Sequence, residues 1–240
     1  MGGILSLIGF GPQGWGATLI AAAGMTLAVS LAAFAIGLAL GLLGAWAKLS
    51  HLRLARAASH GYTTILRGVP DLLVVYLFYF GGSSAMTAIG HLFGGQGFFG
   101  LNGFLVGALA IGIVSGAYET EVLRGAYLAI PRGEIEAARA VGMDGGLLLR
   151  RIIAPLGLRL ALPGMGNVWQ MILKESALIS VTGLVEIMRA VEVGAGVTRQ
   201  PFGFYVTGAV LYLVLTTLTG IAFRGAERRF GRGAVPGHAA

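Results

Sequence analysis

The stretch TLIAAAGMTLAVSLAAFAIGLALGLLGAW, residues 18–46, contains no charged side chain. A membrane span needs about 20 predominantly apolar residues, because hydrocarbon offers no partner for an unpaired backbone N–H or C=O. The stretch is therefore long enough to cross a bilayer as one helix. Gly37 and Gly41 stand four residues apart within it, a spacing that lets a neighbouring helix approach closely. This segment predicts an α-helical membrane protein.

The rest of the chain has the same character. Of its 240 residues 56% are hydrophobic and 11% are charged, whereas soluble domains carry about 25% charged residues. We predict one all-α, polytopic membrane domain over residues 1–240, with five spans at about 18–47, 62–81, 101–123, 162–184 and 202–223. Residues 85–100 are rich in glycine and are expected to form a short external loop.

The basic residues predict the direction of the spans. The chain has 17 Lys and Arg residues. Thirteen of them lie in three segments on one face: residues 48–56, a loop over 124–160, and the tail, where the last is Arg232. Only two, Arg189 and Arg199, lie on the opposite face. Cytoplasmic loops are enriched in Lys and Arg. The bias places the N-terminus outside and the 124–160 loop and the C-terminus in the cytoplasm.

Several functions are excluded by what the sequence lacks. It has no Cys, neither lysine follows a glycine as in G-x-x-x-x-G-K-[ST], and the four histidines lack metal-ligand spacing. We expect no catalytic residue, no metal site and no bound cofactor in this chain. The net charge of +7 would suggest nucleic acid in a soluble protein, but here the basic residues lie between apolar segments.

The loop contains EAARAVGMDGGLLLRRIIAP, residues 136–155. The glycines predict a short helix broken around residues 142–146 and a second helix over 147–153. Such a pair forms a compact knob that projects from the membrane, and the side chains of Ala137 and Ala138 are small enough to fit a partner's groove. The alternative is an ordinary amphipathic loop.

This spacing resembles the EAA loop of bacterial ABC-importer permeases, the element that docks on the ATP-hydrolysing subunit. The residue before the proline is usually Leu in that family and is Ala154 here. The resemblance assigns the ATPase contact to Glu136, Ala137, Ala138, Gly142, Ile152 and Pro155.

Residues 61–76, 115–142 and 161–184 also resemble permeases of polar amino-acid importers, in particular the Q-type subunits of histidine/lysine/arginine/ornithine and opine importers. The resemblance implies the type I importer permease (MetI-like) fold with five transmembrane helices, in a bacterial inner membrane. It implies a second permease, either a homologous chain or another copy of this one, together with two ATPase subunits that bind ATP and Mg²⁺ and a soluble substrate-binding protein. The implied cargo is a polar, basic amino acid or an opine.

Ionisable residues inside spans are costly, by about 2.5–3.5 kcal/mol on insertion scales, so each suggests a function. Ser115 and Glu119 lie one helical turn apart on one face. If that face lines a cavity, its carboxylate can pair with a cationic substrate, because opposite charges attract strongly where water is scarce. The candidate substrate-binding residues are Ser115, Glu119, Glu121, Glu175 and Ser176.

Structural pairing is the alternative for the charged residues among them. Glu121 and Arg124 are spaced i, i+3, and Arg67 and Asp71 are spaced i, i+4, so each pair can form within one helix. A second functional class also stays open. An autonomous channel or ion-coupled carrier would use the intramembrane charges as a gate or a proton relay, but it leaves the 136–155 pattern unexplained.

Overall fold

A computed structural model describes residues 6–11, 14–93, 96–97 and 100–231, and all regular structure within these ranges is helical. Arg232 of the predicted basic tail lies outside them. In chain order the helices are α1 (Gly16–Leu49), α2 (Arg53–Leu66), α3 (Asp71–Leu92), α4 (Gly103–Leu128), α5 (Arg132–Ala140), α6 (residues 145–175), α7 (Ile187–Thr198) and α8 (Pro201–Gly231).

Helices α3 and α6 each contain a π turn, which is wider than a regular α-helical turn, and α6 is followed directly by a 3₁₀ helix. In α3 the π turn spans Leu77–Gly81. In α6 it spans Leu149–Ile153, between the segments Gly145–Leu148 and Ala154–Glu175. A 3₁₀ helix, Ser176–Thr182, follows α6 directly.

Within the described part of the chain, four helices are long and apolar enough to cross a membrane: α1, α3, α4 and α8. The predicted spans at 18–47, 101–123 and 202–223 overlap α1, α4 and α8, of which α4 and α8 extend five and eight residues further at their C-terminal ends. The predicted span at 162–184 falls on the second half of α6 and the 3₁₀ helix instead.

The predicted second span, 62–81, has the wrong boundaries. Residues 62–66 end a separate helix, α2, and the membrane helix α3 begins only after Pro70. Proline lacks a backbone N–H and fixes φ, so it interrupts one helix and starts the next. The expected stop at Gly81-Gly82 does not occur, because helix continues to Leu92. The prediction of a loop from residue 85 is therefore also wrong.

The packing of α1 on α4 is the most extensive in the described chain. Gly37 lies against Ser115 and Glu119, Gly41 against Glu119, and Gly44 against Thr120. Residue numbers rise together along both helices, so α1 and α4 are parallel. The predicted close approach at Gly37 and Gly41 is confirmed. We call these three glycines and their three partners the glycine seam.

Helix α6 and the 3₁₀ helix run antiparallel to α4. Gly164 lies against Val122 near one end of α4, Ile179 lies against Gly107, and Thr182 lies against Gly103 at the other end. Together they accompany α4 over nearly its whole length. Helix α8 returns antiparallel to α6, since Phe223 lies on Gly166 and Gly220 on Gln170. The main apolar core lies where α1, α3, α4 and α6 meet.

Candidate functional site

The first candidate site is the coupling hairpin, which we define as residues 132–153. Helix α5 ends at Ala140, and Gly142 just beyond it has a φ of +82°, the left-handed conformation that favours glycine. The N–H of Met143 donates to the carbonyl of Ala138 over 3.1 Å, which closes the turn. Asp144 caps the following helix by accepting the N–H of Leu147 at 2.7 Å. The predicted break around 142–146 is confirmed.

The second helix of the hairpin differs from the prediction of 147–153. It begins at Gly145, and residue 153 is not its end, because α6 continues through the segment Ala154–Glu175. Sequence reasoning stopped it before Pro155. A proline in the first turn of a regular helix segment removes no hydrogen bond that the helix needs, and the π turn over Leu149–Ile153 absorbs the change in register.

The residues assigned to ATPase contact are mostly available to a partner. Glu136, Ala137, Gly142 and Pro155 are exposed and Ile152 is half-buried. Ala138 differs, since it is buried within this chain. The expectation that it enters a partner's groove therefore does not match its position. Three apolar side chains beside the assigned residues are exposed: Val141, Leu147 and Leu149.

The residues predicted to contact substrate lie in three separate places. Ser115 and Glu119 share one face of α4, as predicted, but that face forms part of the glycine seam. Glu119 is 0% exposed, and both of its carboxyl oxygens are buried with no hydrogen-bond partner. Ser115 donates to the Gly112 carbonyl. In this structure neither side chain lines an open cavity.

Glu121 is engaged in a charge cluster at the end of α1. It pairs with the ammonium of Lys48, and its other oxygen lies 3.5 Å from Arg124. Pairing with Arg124 matches the structural alternative, whereas Lys48 was not anticipated. Lys48 also donates to the hydroxyl of Thr63 at 2.7 Å. Arg67 lies over the ring of Tyr118, 5.2 Å from its centroid.

Glu175 stands at the end of α6, where its carboxyl group lies beside that of Asp71 at the start of α3. Its Oε2 atom is buried without a partner. Ser176 follows it and donates to the carbonyl of Leu173 at 2.8 Å. Two neighbouring carboxyl groups favour a shared proton or a cation close by, and the charge of Lys174, the preceding residue, already acts on Glu175.

Glu186 is a buried carboxylate that sequence reasoning missed. It caps α7 by accepting the N–H groups of Met188 and Arg189, and it accepts the hydroxyl of Tyr212 at 2.9 Å. Burial raises its pKa, while the three donors oppose that rise. Thr26 on α1 accepts the N–H of Ile187 beside it. An acidic residue directly before a helix was the available signal.

Residues 37–232 match the family of binding-protein-dependent transport system inner membrane components. That range spans both the coupling hairpin and the Asp71–Glu175 pair. The chain belongs to this family. Several permeases of named transport systems are similar to this chain over almost its full length.

The octopine transport system permease protein OccQ of Rhizobium meliloti is 61% identical and is matched over 96% of this chain and 98% of its own. The nopaline permease NocQ of Agrobacterium fabrum is 46% identical, with 95% and 98% covered. The histidine/lysine/arginine/ornithine permease HisQ of Escherichia coli is 38% identical, with 92% and 96% covered.

Two solved structures share the fold. The crystal structure of an amino acid ABC transporter with histidines aligns with a TM-score of 0.76 and 31% identity, covering 90% of this chain and 95% of its own. An inward-facing structure of the MetNI methionine ABC transporter aligns with a TM-score of 0.67 at 18% identity, covering 90% and 97%. The second comparison bears on the fold alone.

Proposed function

We propose that this chain is the membrane-spanning subunit of an ATP-driven importer for a basic amino acid or an opine. The observation that carries the proposal is the coupling hairpin, an exposed pair of helices with apolar side chains among its charges, in a permease whose relatives carry octopine, nopaline or basic amino acids. The partners would be two ATPase subunits that bind ATP and Mg²⁺, a second homologous permease and a soluble substrate-binding protein.

The proposal includes five membrane crossings with an external N-terminus. Helices α1 and α4 are parallel, so the chain between them must return, and α3 is long and apolar enough to do so. The antiparallel course of α6 and the 3₁₀ helix along α4 supports a further crossing. Five crossings then leave α7, with Arg189, outside and the coupling hairpin inside, in agreement with the positive-inside rule.

Single cysteines test this arrangement, because the chain has none of its own. Cysteine at Ala137 in the coupling hairpin should resist a membrane-impermeant maleimide in intact spheroplasts and react after lysis. Cysteine at Thr198, the last residue of α7, should react in both cases. Labelling of the Ala137 variant in intact spheroplasts would refute the orientation.

Coupling to the ATPase is tested by two acidic residues on α5. Glu136 belongs to the assigned contact set and Glu134 does not, yet both are exposed. We expect Glu136→Ala to lower uptake by about tenfold while basal ATP hydrolysis persists, since a charged contact across an interface contributes about 1.5–3 kcal/mol. Glu134→Ala should retain uptake. Equal uptake by the two variants in proteoliposomes would contradict the assignment.

Of the five residues predicted to contact substrate, Glu175 has the strongest support from the geometry. It lies beside a second carboxyl group and keeps one buried oxygen unpartnered. An incoming ammonium or guanidinium group would offset the repulsion between the two carboxyl groups and donate a hydrogen bond to the buried oxygen. Ser176 adjoins it. Ser115, Glu119 and Glu121 would contribute only if α4 turned away from its present neighbours during transport.

A matched set of variants tests this part of the proposal. Glu175→Gln and Asp71→Asn should lower uptake of arginine by about tenfold and uptake of glutamine far less, because only arginine brings a side-chain cation. Glu192→Gln, which removes a carboxyl group that pairs with Arg189 on α7, is the control. Glu119→Gln, measured in parallel, should lower arginine uptake relative to glutamine uptake less than Glu175→Gln does. Equal losses for both substrates would remove Glu175 from the site.

An autonomous channel or ion-coupled carrier remains the rival class. Reconstitution of the chain alone separates the two, because a carrier would move solute without its partners. Uptake should require the ATPase, the second permease, the binding protein and ATP together. Solute accumulation by the isolated chain would overturn the proposal.

A further inference from the structure

A polar cavity of about 320 Å³ lies among the end of α1, helix α2 and helix α4. Its wall includes Lys48, His60, Thr63, Arg67, Tyr118 and Glu121. Glu175 and Asp71, which carry the substrate-contact proposal, do not line this cavity; of the five candidate substrate-binding residues, its wall includes Glu121.

The wall of the cavity has an excess of positive charge. Glu121 is a single carboxylate that pairs with Lys48 and Arg124, and it lies close enough to Arg67 to feel its charge, so one carboxylate stands against three cations. Arg67 takes part in none of the ion pairs among the described residues. Its guanidinium rests on the Tyr118 ring and stays exposed, which leaves its N–H donors free to face an anion.

The charges in the wall are held in fixed positions. The side chain of Lys48 is 2% exposed, and its ammonium is held by Glu121 and Thr63. Stacking on an aromatic ring likewise restrains the guanidinium of Arg67. A site whose donors are already positioned loses little conformational freedom when it binds.

Helix α2 presents an unusual face beside the cavity. Its two buried side chains, Ser59 and Thr63, are polar, whereas Leu54 and Ile65 are 84% and 60% exposed. Trp46, near the end of α1, is 63% exposed. Tryptophan favours the boundary between headgroups and hydrocarbon, and outward apolar residues on a short amphipathic helix favour contact with acyl chains.

We propose that this cavity binds the phosphate of an anionic phospholipid, with the acyl chains lying on the exposed apolar residues of α2 and the end of α1. Arg67 would donate to the phosphate oxygens in the fork geometry that guanidinium groups offer. Thr64, whose side chain is exposed on the same wall, would donate a hydroxyl hydrogen bond. Basic pockets between membrane helices are suited to such headgroups.

The test uses the complete transporter, purified in detergent and titrated with short-chain lipids by native mass spectrometry. Dioctanoyl phosphatidylglycerol should bind about tenfold more tightly than dioctanoyl phosphatidylcholine, because the latter's choline cation opposes the wall charge. Inorganic phosphate at the same concentration should not displace the lipid, since it lacks the acyl chains.

Two substitutions locate the binding. Arg67→Gln should lower the affinity for phosphatidylglycerol by about tenfold and Thr64→Val by about threefold. Arg53→Gln removes an exposed cation from the same helix outside the cavity wall, and it should change the affinity by less than about twofold. If Arg67→Gln does not yield folded protein, the proposal is tested by comparing the phosphatidylglycerol affinities of the Thr64→Val and Arg53→Gln variants.

Three results would overturn the proposal. One is equal weakening by the Arg67 and Arg53 variants, which would indicate a diffuse surface charge. The second is equal affinity for the two lipids. The third is saturation of the site by inorganic phosphate with exclusion of the lipid, which would assign the cavity to a free anion. Lipid binding is independent of whether uptake depends on Glu136 or Glu175, so the two proposals fail separately.

Discussion

The glycine seam and the coupling hairpin use the same residue type for opposite reasons. In the seam, a Cβ on Gly41 would lie 2.8 Å from the Cβ of Glu119, so no side chain fits. At Gly142 in the hairpin nothing lies within 4 Å, but φ is +82°. The seam needs glycine because a neighbour is close, and the hairpin needs it because the backbone turns. A substitution should therefore affect the whole fold in one region and only local geometry in the other.

The largest effect is expected from Gly41→Val. Forcing a branched side chain into a filled interface commonly costs about 1–3 kcal/mol, and more where neither backbone can move. Here the obstacle is the backbone and Cβ of Glu119, so we expect the upper end of that range. Thermal unfolding in detergent measures it.

Gly24→Val on the same helix is the control, because nothing lies within 4 Å of a Cβ at that position. It should unfold at nearly the wild-type temperature. If both valine variants unfold alike, close packing at Gly41 is not what holds α1 against α4.

Gly142→Ala should have a smaller effect on stability and a larger one on coupling. A left-handed residue with a side chain costs roughly 1–2 kcal/mol, and the hairpin is exposed enough to distort locally instead of unfolding the whole chain. We expect a small fall in unfolding temperature together with a clear loss of ATP-driven uptake.

Gly133→Ala is the matched control, since Gly133 lies in helix α5 with open space around it. It should keep both unfolding temperature and uptake. A Gly142 variant that transports like the Gly133 variant would show that the hairpin does not need its turn.

The smallest effect concerns the polar contact between α8 and the start of α7. Tyr212→Phe removes the hydroxyl that donates to Glu186, and a net cost of about 1 kcal/mol is typical of one such hydrogen bond. Tyr205→Phe, on an exposed part of the same helix, should cost nothing measurable by denaturant unfolding. An equal response of the two variants would mean that Glu186 is held by its backbone donors alone.

Much of this architecture is predictable, because it depends on features of short stretches of sequence. Helices α1, α4 and α8 each contain a long apolar stretch, and the turn at Gly142 follows from glycine spacing. The prediction that helix α3 ends at Gly81-Gly82 is wrong, because it applies the helix-ending preference that glycine has in water. In hydrocarbon an open backbone group has no partner, so the helix continues.

The candidate sites were less predictable because their partners are distant in sequence. The i, i+3 pair of Glu121 and Arg124 was visible, but Lys48 reaches Glu121 only once α1 lies parallel to α4. The meeting of Asp71 with Glu175 likewise depends on how α3 is placed beside α6. Periodicity predicts which face a residue occupies, and tertiary packing decides what that face meets.

The continuity of α6 has a mechanical consequence. From Gly145 to Glu175 the chain forms one helical rod about 45 Å long, at 1.5 Å per residue. One end belongs to the exposed hairpin, and the other holds the carboxyl group that faces Asp71. A tilt imposed at the hairpin end would move that carboxyl group directly, with the π turn at Leu149–Ile153 and the interior proline Pro163 as the points where the rod can bend.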